Sequence, residues 1–227
     1  MSVATPAINH TYLDTIDTLP DNSSIVLRDV SWDEYEQILV ALDERPGLRL
    51  TYDHGRLEIM TLSPEHEAPS ALFTHLIGVL VEEIGLDYIS LRSTTLRLQE
   101  IEGGLEADDC YYIGDFAAVA GKKRLDLTVD PAPDLAVEVD ISHGSQGKFH
   151  IYAGLKVEEL WRCDGKQVEF YRLSGDDYVE IPASDLFPFL TPEALPGFLV
   201  QGMNEGIVAM RRAFRDWVKA NRKQMKP

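Results

Sequence analysis

Leu135-Ala136-Val137-Glu138-Val139-Asp140-Ile141 is the stretch on which the reading of this chain turns. Side chains on a strand point alternately to opposite faces, so Leu135, Val137, Val139 and Ile141 share one face while Asp134, Ala136, Glu138 and Asp140 share the other. The first face has the composition of a core, the second that of a metal site. Carboxylates two residues apart stand about 7 Å apart along a strand, near enough for their oxygens to converge on one divalent cation or to bridge two. The competing reading is an edge strand carrying solvated acids. Asp134 falls outside the constellation, because four residues of extended strand separate it from Glu138 by about 13 Å, and metal–oxygen bonds span only about 2.0–2.6 Å. Following Pro131-Ala132-Pro133, it reads as the residue that opens the strand.

Working outward, residues 1 to about 23 are polar and broken by prolines, which predicts a loosely held, flexible arm ahead of a single domain over 24–227. Ser31-Trp32-Asp33-Glu34 is a capping box, and Trp32, Tyr35, Ile38, Leu39 and Leu42 recur at helical spacing. Leu48 to Tyr52 and Arg56 to Met60 flank Asp53-His54-Gly55 as a hairpin. Ser63-Pro64 supplies a cap and a first-turn proline for a long helix through about Ile84, with Leu72, Leu76, Val79, Leu80 and Ile84 as its buried stripe. Strand patterns follow at Tyr88 to Arg92, Thr95 to Leu98 and Cys110 to Ile113. Beyond the opening stretch, Ser142 to Gly147 is a loop and Lys148 to Leu155 a short helix. A second hairpin turns at Asp164-Gly165, a proline-punctuated connection runs from Phe187 to Gly197, and a closing helix spans Glu205 to about Lys219. This is an α/β chain of the mixed α+β kind, a mixed sheet flanked by helices, with a helix and hairpin added at its N-terminal side and a helix at its C-terminal end.

At 227 residues and 44% hydrophobic content the chain can bury a sizeable core. It has no run of eighteen apolar residues, and Met1-Ser2-Val3-Ala4-Thr5-Pro6 lacks the basic and apolar regions of a signal peptide, so a cytoplasmic protein without membrane contact is expected. Cys110 and Cys163, with no Cys-x-x-Cys pair, indicate neither a disulfide framework nor a structural zinc site. The formal net charge of -17 works against nonspecific nucleic-acid binding. It leaves room for a nuclease, whose acids gather at a metal while its bases concentrate beside them. Lys122-Lys123-Arg124 and the cluster from Arg211-Arg212 to Lys226 read as solvated surface.

A metal site needs acids from more than one strand. Asp108 and Asp109 precede the strand at Cys110, and if that strand neighbours the one carrying Glu138, either could join it at one cation. Lys148 stands in the first turn of the short helix, where the helix dipole favours acids rather than bases. A cation there, beside a metal, could hold or help deprotonate a water and stabilise charge developing on a phosphate. His66 and His143 are isolated histidines, and Ser142 lacks a recognisable His and acid partner, so none of them supports acid–base or nucleophilic catalysis.

Ala107-Asp108, Glu138-Val139-Asp140, Lys148-Phe149-His150-Ile151-Tyr152 and Val157-Glu158-Glu159-Leu160-Trp161 together resemble the bacterial Uma-type family of endonucleases, within the PD-(D/E)XK nuclease superfamily. The likeness runs from about Trp32 to Tyr171 and is most specific over 134 to 161. It implies a restriction-endonuclease-like fold, phosphodiester hydrolysis dependent on Mg²⁺ or Mn²⁺, a nucleic-acid substrate, DNA in the first instance, and a homodimer. Carried over residue by residue, Asp108 matches the first acid, with Ala107 where a proline is usual, and Glu138 matches the second. Asp140 stands where the superfamily carries lysine, and Lys148 matches a helix lysine that supplies that charge. The resemblance thus implies Asp108, Glu138 and Lys148 as catalytic residues and Asp108, Glu138 and Asp140 as metal ligands, with Glu67 on the long helix, or Asp109, as candidates to complete the set. The alternative is a catalytically inactive binding or assembly module on the same scaffold, favoured by the acidic balance and by Asp140. A hydrolase of smaller phosphorylated substrates is a third reading.

Overall fold

Far from lying at an edge, the strand Leu135–Val139 runs through the middle of a sheet and all five of its residues are buried. The computed structural model describes residues 16, 18–42, 47–61, 64–140 and 145–222, with the side chains of 64–67 and 145–146 left aside. The strands are β1 (Ser24–Leu27), β2 (Leu48–Asp53), β3 (Arg56–Thr61), β4 (Tyr88–Ser90), β5 (Thr95–Leu98), β6 (Gly103–Glu106), β7 (Asp109–Ile113), β8 (Leu135–Val139), β9 (Glu159–Cys163), β10 (Val168–Ser174) and β11 (Asp177–Ile181). The helices are α1 (Trp32–Leu42), α2 (Pro64–Ile84), α3 (Phe149–Gly154), α4 (Leu195–Glu205) and α5 (Ile207–Asn221). None is long and apolar enough to cross a membrane among the described residues.

The strands form two sheets. One has six strands in the order β11-β10-β9-β8-β7-β4, mixed because β8 and β9 run parallel while their other neighbours are antiparallel. Burial on both faces explains the apolar run in β8. Leu135, Val137 and Val139 pack with α2 and Trp161, while Ala136 faces Tyr152, Leu155 and Cys110. Helix α2 buries Leu72, Leu76, Val79 and Leu80 of the predicted stripe, with Ile84 half-buried at its end, and also Phe73, Ile77 and Val81, because it is wedged between β7 and β8 on one side and the two C-terminal helices on the other.

The predicted N-terminal hairpin does not stand alone. It is part of a second, five-stranded sheet ordered β1-β3-β2-β6-β5. On one face Leu50, Tyr52, Leu57 and Ile59 are buried against Tyr35, Ile38 and Leu42 of α1. Tyr35 stacks on Tyr52 with ring centroids 4.6 Å apart. The capping box forms, with Ser31 N donating to Glu34 Oε2 at 2.8 Å and Glu34 N to Ser31 Oγ at 3.3 Å. Ile16 joins the same core; the rest of the expected N-terminal arm up to residue 15 lies outside the described residues, as do Ser63, Ser142 and His143.

Strand β6 hides behind Gly103-Gly104, a pair with the composition of a turn. Its glycine has a packing cause, since a Cβ on Gly104 would stand 2.5 Å from the Tyr35 hydroxyl and 2.8 Å from Arg97 Cβ. Gly104→Ala should therefore cost about 1–3 kcal/mol, read as a lowered midpoint in thermal or denaturant unfolding. The expected connection and closing helix are corrected at the other end of the chain. Residues 195–205 are helical because Pro196 lies in the first turn, where its missing N–H costs nothing, so it opens α4 instead of breaking it. Gly206, at φ +92°, then separates α4 from α5.

Candidate active site

Register assembles the first half of the site. Asp109 pairs with Val137 across β7 and β8, and Asp108, in the bend that leads into β7, lines the same cleft as Glu138. Asp108 Oδ2 accepts the Val139 N–H at 2.7 Å, a bond that ties the acid leading into β7 to the end of β8. Asp109 points the other way. Fully buried, it accepts from Thr74 Oγ1, Ser90 Oγ, Tyr111 OH and Cys110 N, so its carboxylate anchors β7 to α2 and β4 on the side away from Glu138.

The crossover from β8 to β9 supplies the second half. Lys148 caps α3 and Tyr152 lies four residues on, which stacks both on one helical face. Lys148 Nζ donates to Glu138 Oε2 at 3.1 Å and the Tyr152 hydroxyl donates to Glu138 Oε1, so one short helix serves both oxygens of a carboxylate that is 2% exposed. Arg162 of β9, beside Glu138 in the parallel register, donates through Nε to Asp140 Oδ2 at 2.6 Å and through NH1 to Glu169 Oε2 at 2.8 Å. The two hydrogen-bonded acids hold that guanidinium charged, above its ordinary pKa despite the cost of burial.

The second sheet closes the remaining side. A cleft of about 300 Å³ is lined by Asp108, Glu138, Asp140 and Lys148 from the six-stranded sheet and its crossover, and by Arg49, Thr51, Asp53, Arg56, Glu58 and Met60 from β2 and β3. Arg49 Nε lies 3.8 Å from Asp108 Oδ1, and His150 Nε2 reaches Asp53 Oδ1 at 3.0 Å, linking α3 to that wall.

Electrostatics follow from this enclosure. Burial pushes the Glu138 carboxyl up to about 7, with the Lys148 ammonium and the Tyr152 hydroxyl pulling against it and the Asp108 charge adding to it. Burial likewise raises Asp108, against the Val139 N–H and the Lys148 charge. Burial works against the Lys148 charge, but Glu138 and Asp108 outweigh it and hold the ammonium above its ordinary value. Tyr152, buried beside a carboxylate, stays a neutral donor.

The structure thus brings Asp108, Glu138, Asp140 and Lys148 to one cleft. Glu67 and His66 lie on α2 with side chains outside those described. Three further residues take part, Tyr152, Arg49 and Arg162. Tyr152 has the ring of a core position on the short helix, and its spacing of four from Lys148 is the signal that places its hydroxyl at Glu138. Arg49 shares with Thr51 and Asp53 the polar alternation of β2, and Arg162 lies in the strand after the crossover. Among the described residues no three His, Cys, Asp or Glu side chains gather as a ready-made metal cage.

Two acids in one cleft of a mixed sheet, with a lysine delivered to them by the crossover between parallel strands, are the arrangement expected of a restriction-endonuclease-like α/β protein. Comparison with known proteins names the family: the chain belongs to Uma2, described as Putative restriction endonuclease, whose model matches residues 32–201. Among solved structures it is similar to a protein described as a putative nuclease belonging to DUF820 from Anabaena variabilis, with a TM-score of 0.47 and 16% identity over 66% of this chain and 90% of that one. No curated protein matches it.

Proposed function

We propose that this protein is a cytoplasmic, metal-dependent endonuclease that hydrolyses phosphodiester bonds in nucleic acid, with DNA as the first substrate to test. Family membership supports nuclease function; the observation that carries the metal-dependent reading is Asp108 and Glu138 lining one cleft with Lys148 on Glu138 Oε2. The donor chemistry fits Mg²⁺ or Mn²⁺. Hard cations take oxygen ligands, and Mg²⁺ is commonly held by one or two carboxylates, with water and substrate phosphate filling the other positions. The cleft also holds five acids, Asp53, Glu58, Asp108, Glu138 and Asp140, against three bases, Arg49, Arg56 and Lys148. A polyanionic substrate meets an excess of negative charge there unless a divalent cation offsets it.

Asp108 and Glu138 are the residues to hold the ion, and Asp140, its Oδ2 on Arg162, flanks them as the third acid of the set. When bound, the ion supplies a Lewis acid for the phosphoryl oxygens and a water of lowered pKa. Tyr152 fixes the Glu138 carboxylate from one side through Oε1. Lys148, whose Nζ donates to Glu138 Oε2, would offer its ammonium to the attacking water and to the charge building on the phosphoryl oxygens. The third-slot charge absent from Asp140 thus arrives from a helix.

The deciding experiment adds Mg²⁺ or Mn²⁺ to the full chain and follows cleavage of DNA and RNA by wild type and by Asp108→Asn. Divalent-dependent cleavage is expected in the wild type and a loss of about 10²-fold or more in the variant. Equal cleavage by both would remove this cleft from the chemistry. Divalent affinity that is missing from the wild type would favour the assembly module.

A further inference from the structure

Building on that reading, we infer that Arg49 is the residue that grips the phosphate undergoing hydrolysis, so that the second sheet supplies the substrate-binding wall of the site. Alternation along the paired strands β2 and β3 sends Leu50, Tyr52, Leu57 and Ile59 into the core against α1. Arg49, Thr51 and Asp53, opposite Met60, Glu58 and Arg56 in register, face the cleft that contains Glu138 and Lys148. A sheet with one apolar and one charged face, the charged one turned onto the cleft that holds two carboxylates, is a wall built for a polar ligand.

Within that wall the two arginines differ. Arg56 sits at 40% side-chain exposure and its NH2 bonds Glu58 Oε2 at 2.9 Å. Arg49 is 12% exposed, its NH1 donates to the Leu48 carbonyl at 3.3 Å, and its Nε stands 3.8 Å from Asp108 Oδ1, close enough for Coulombic attraction. The other Asp108 oxygen is held by Val139 N–H, so Arg49 stands beside the oxygen that the backbone leaves to the side chains. A guanidinium neither ligates a metal nor loses its proton. Next to carboxylates that accept a cation, its chemical use is to receive the anion that comes with the cation. Its planar fork fits two oxygens of a phosphate, a geometry that lysine's point charge lacks. In hydrolysis the water oxygen bonds to phosphorus, the bond to the leaving oxygen breaks, and that oxygen ends protonated. Arg49 transfers no proton and holds the charge that builds on the non-bridging oxygens.

The test uses the full chain as wild type, Arg49→Met and Arg49→Lys. Binding of a fluorescent oligonucleotide is followed by anisotropy with Ca²⁺ across a salt series, Mg²⁺ affinity by calorimetry, and cleavage with Mg²⁺ by steady-state kinetics. Arg49→Met is expected to weaken oligonucleotide binding about tenfold or more, to lower the salt slope by about one, and to reduce kcat/KM by about 10²–10³-fold. Mg²⁺ affinity should stay within about threefold, since Arg49 is no ligand. Arg49→Lys should recover the salt slope and only part of kcat/KM, and it carries the test should the methionine variant fail to fold. Unchanged oligonucleotide affinity and salt slope in a folded Arg49→Met would overturn the inference and leave the nuclease reading standing. A fall in Mg²⁺ affinity that matches the fall in cleavage would overturn it too, by making Arg49 a support for Asp108. A wild type that neither binds nor cleaves would end both.

Discussion

Glu138→Gln is expected to reduce divalent-dependent cleavage by about 10³-fold or more while preserving the fold. Glutamine keeps the volume of the side chain and an oxygen for the Tyr152 hydroxyl, so α3 retains its seat. The anionic charge is what goes, and with it the main attraction for a divalent cation at the centre of the cleft. Lys148 is then left as an ammonium facing a neutral amide in a site where Glu138 is 2% and Lys148 23% exposed. An unmatched buried charge is costly, so some stability is lost as well. Glu138→Gln combined with Lys148→Met removes that charge and should restore the unfolding midpoint without restoring cleavage. Cleavage that persists in Glu138→Gln would detach the chemistry from this strand.

Divalent affinity should change about tenfold per pH unit below the Glu138 midpoint and level off above it. Folding lifts that carboxyl from 4.5 to about 7. The folded chain therefore keeps a proton that the unfolded chain has released, and this group's contribution to stability is complete below 4.5 and lost as pH rises to about 7. A divalent cation needs the carboxylate and displaces that proton, so it binds weakly on the acid side and tightly on the alkaline side. Mg²⁺ should accordingly raise the melting temperature above pH 7 and have little effect a unit or two below it. Calorimetry on both sides of the midpoint, in buffers of different ionisation enthalpy, would count the proton released. A flat affinity profile would mean that Glu138 does not hold the ion.

What the sequence disclosed is what local periodicity records. The alternation of 135–140, the capping box at Ser31 and the apolar stripe of α2 are set by neighbours within a few residues, and each is found where it was expected; Ile141 lies outside the described residues. Strand β6 was obscured because Gly104 answers to Tyr35 and Arg97, far away in the chain. Helix α4 was obscured because a proline reads as a stop unless its place in the first turn is known. The site shows the same division. Asp108, Glu138 and Lys148 could be picked from motif and spacing, but Arg49 joins them only through the docking of one sheet on another, and Arg162 only through the parallel register of β8 and β9. Tyr152 was visible as an apolar ring and invisible as a hydroxyl, since nothing local says which end of a tyrosine has work to do.

Among the described strands, β8 and β9 form the one parallel pair, and parallel neighbours cannot be joined by a tight turn. The chain must leave the sheet at the end of β8, travel back and re-enter alongside, and that obligatory detour is the segment carrying Lys148 and Tyr152. Strand direction and chemistry are thereby locked together. The turns at Asp164-Gly165 and Gly175-Asp176 line no part of the cleft, so a longer turn there should cost it little. The return path from β8 to β9 has no such freedom, so evolutionary drift in loop length should stop at its borders.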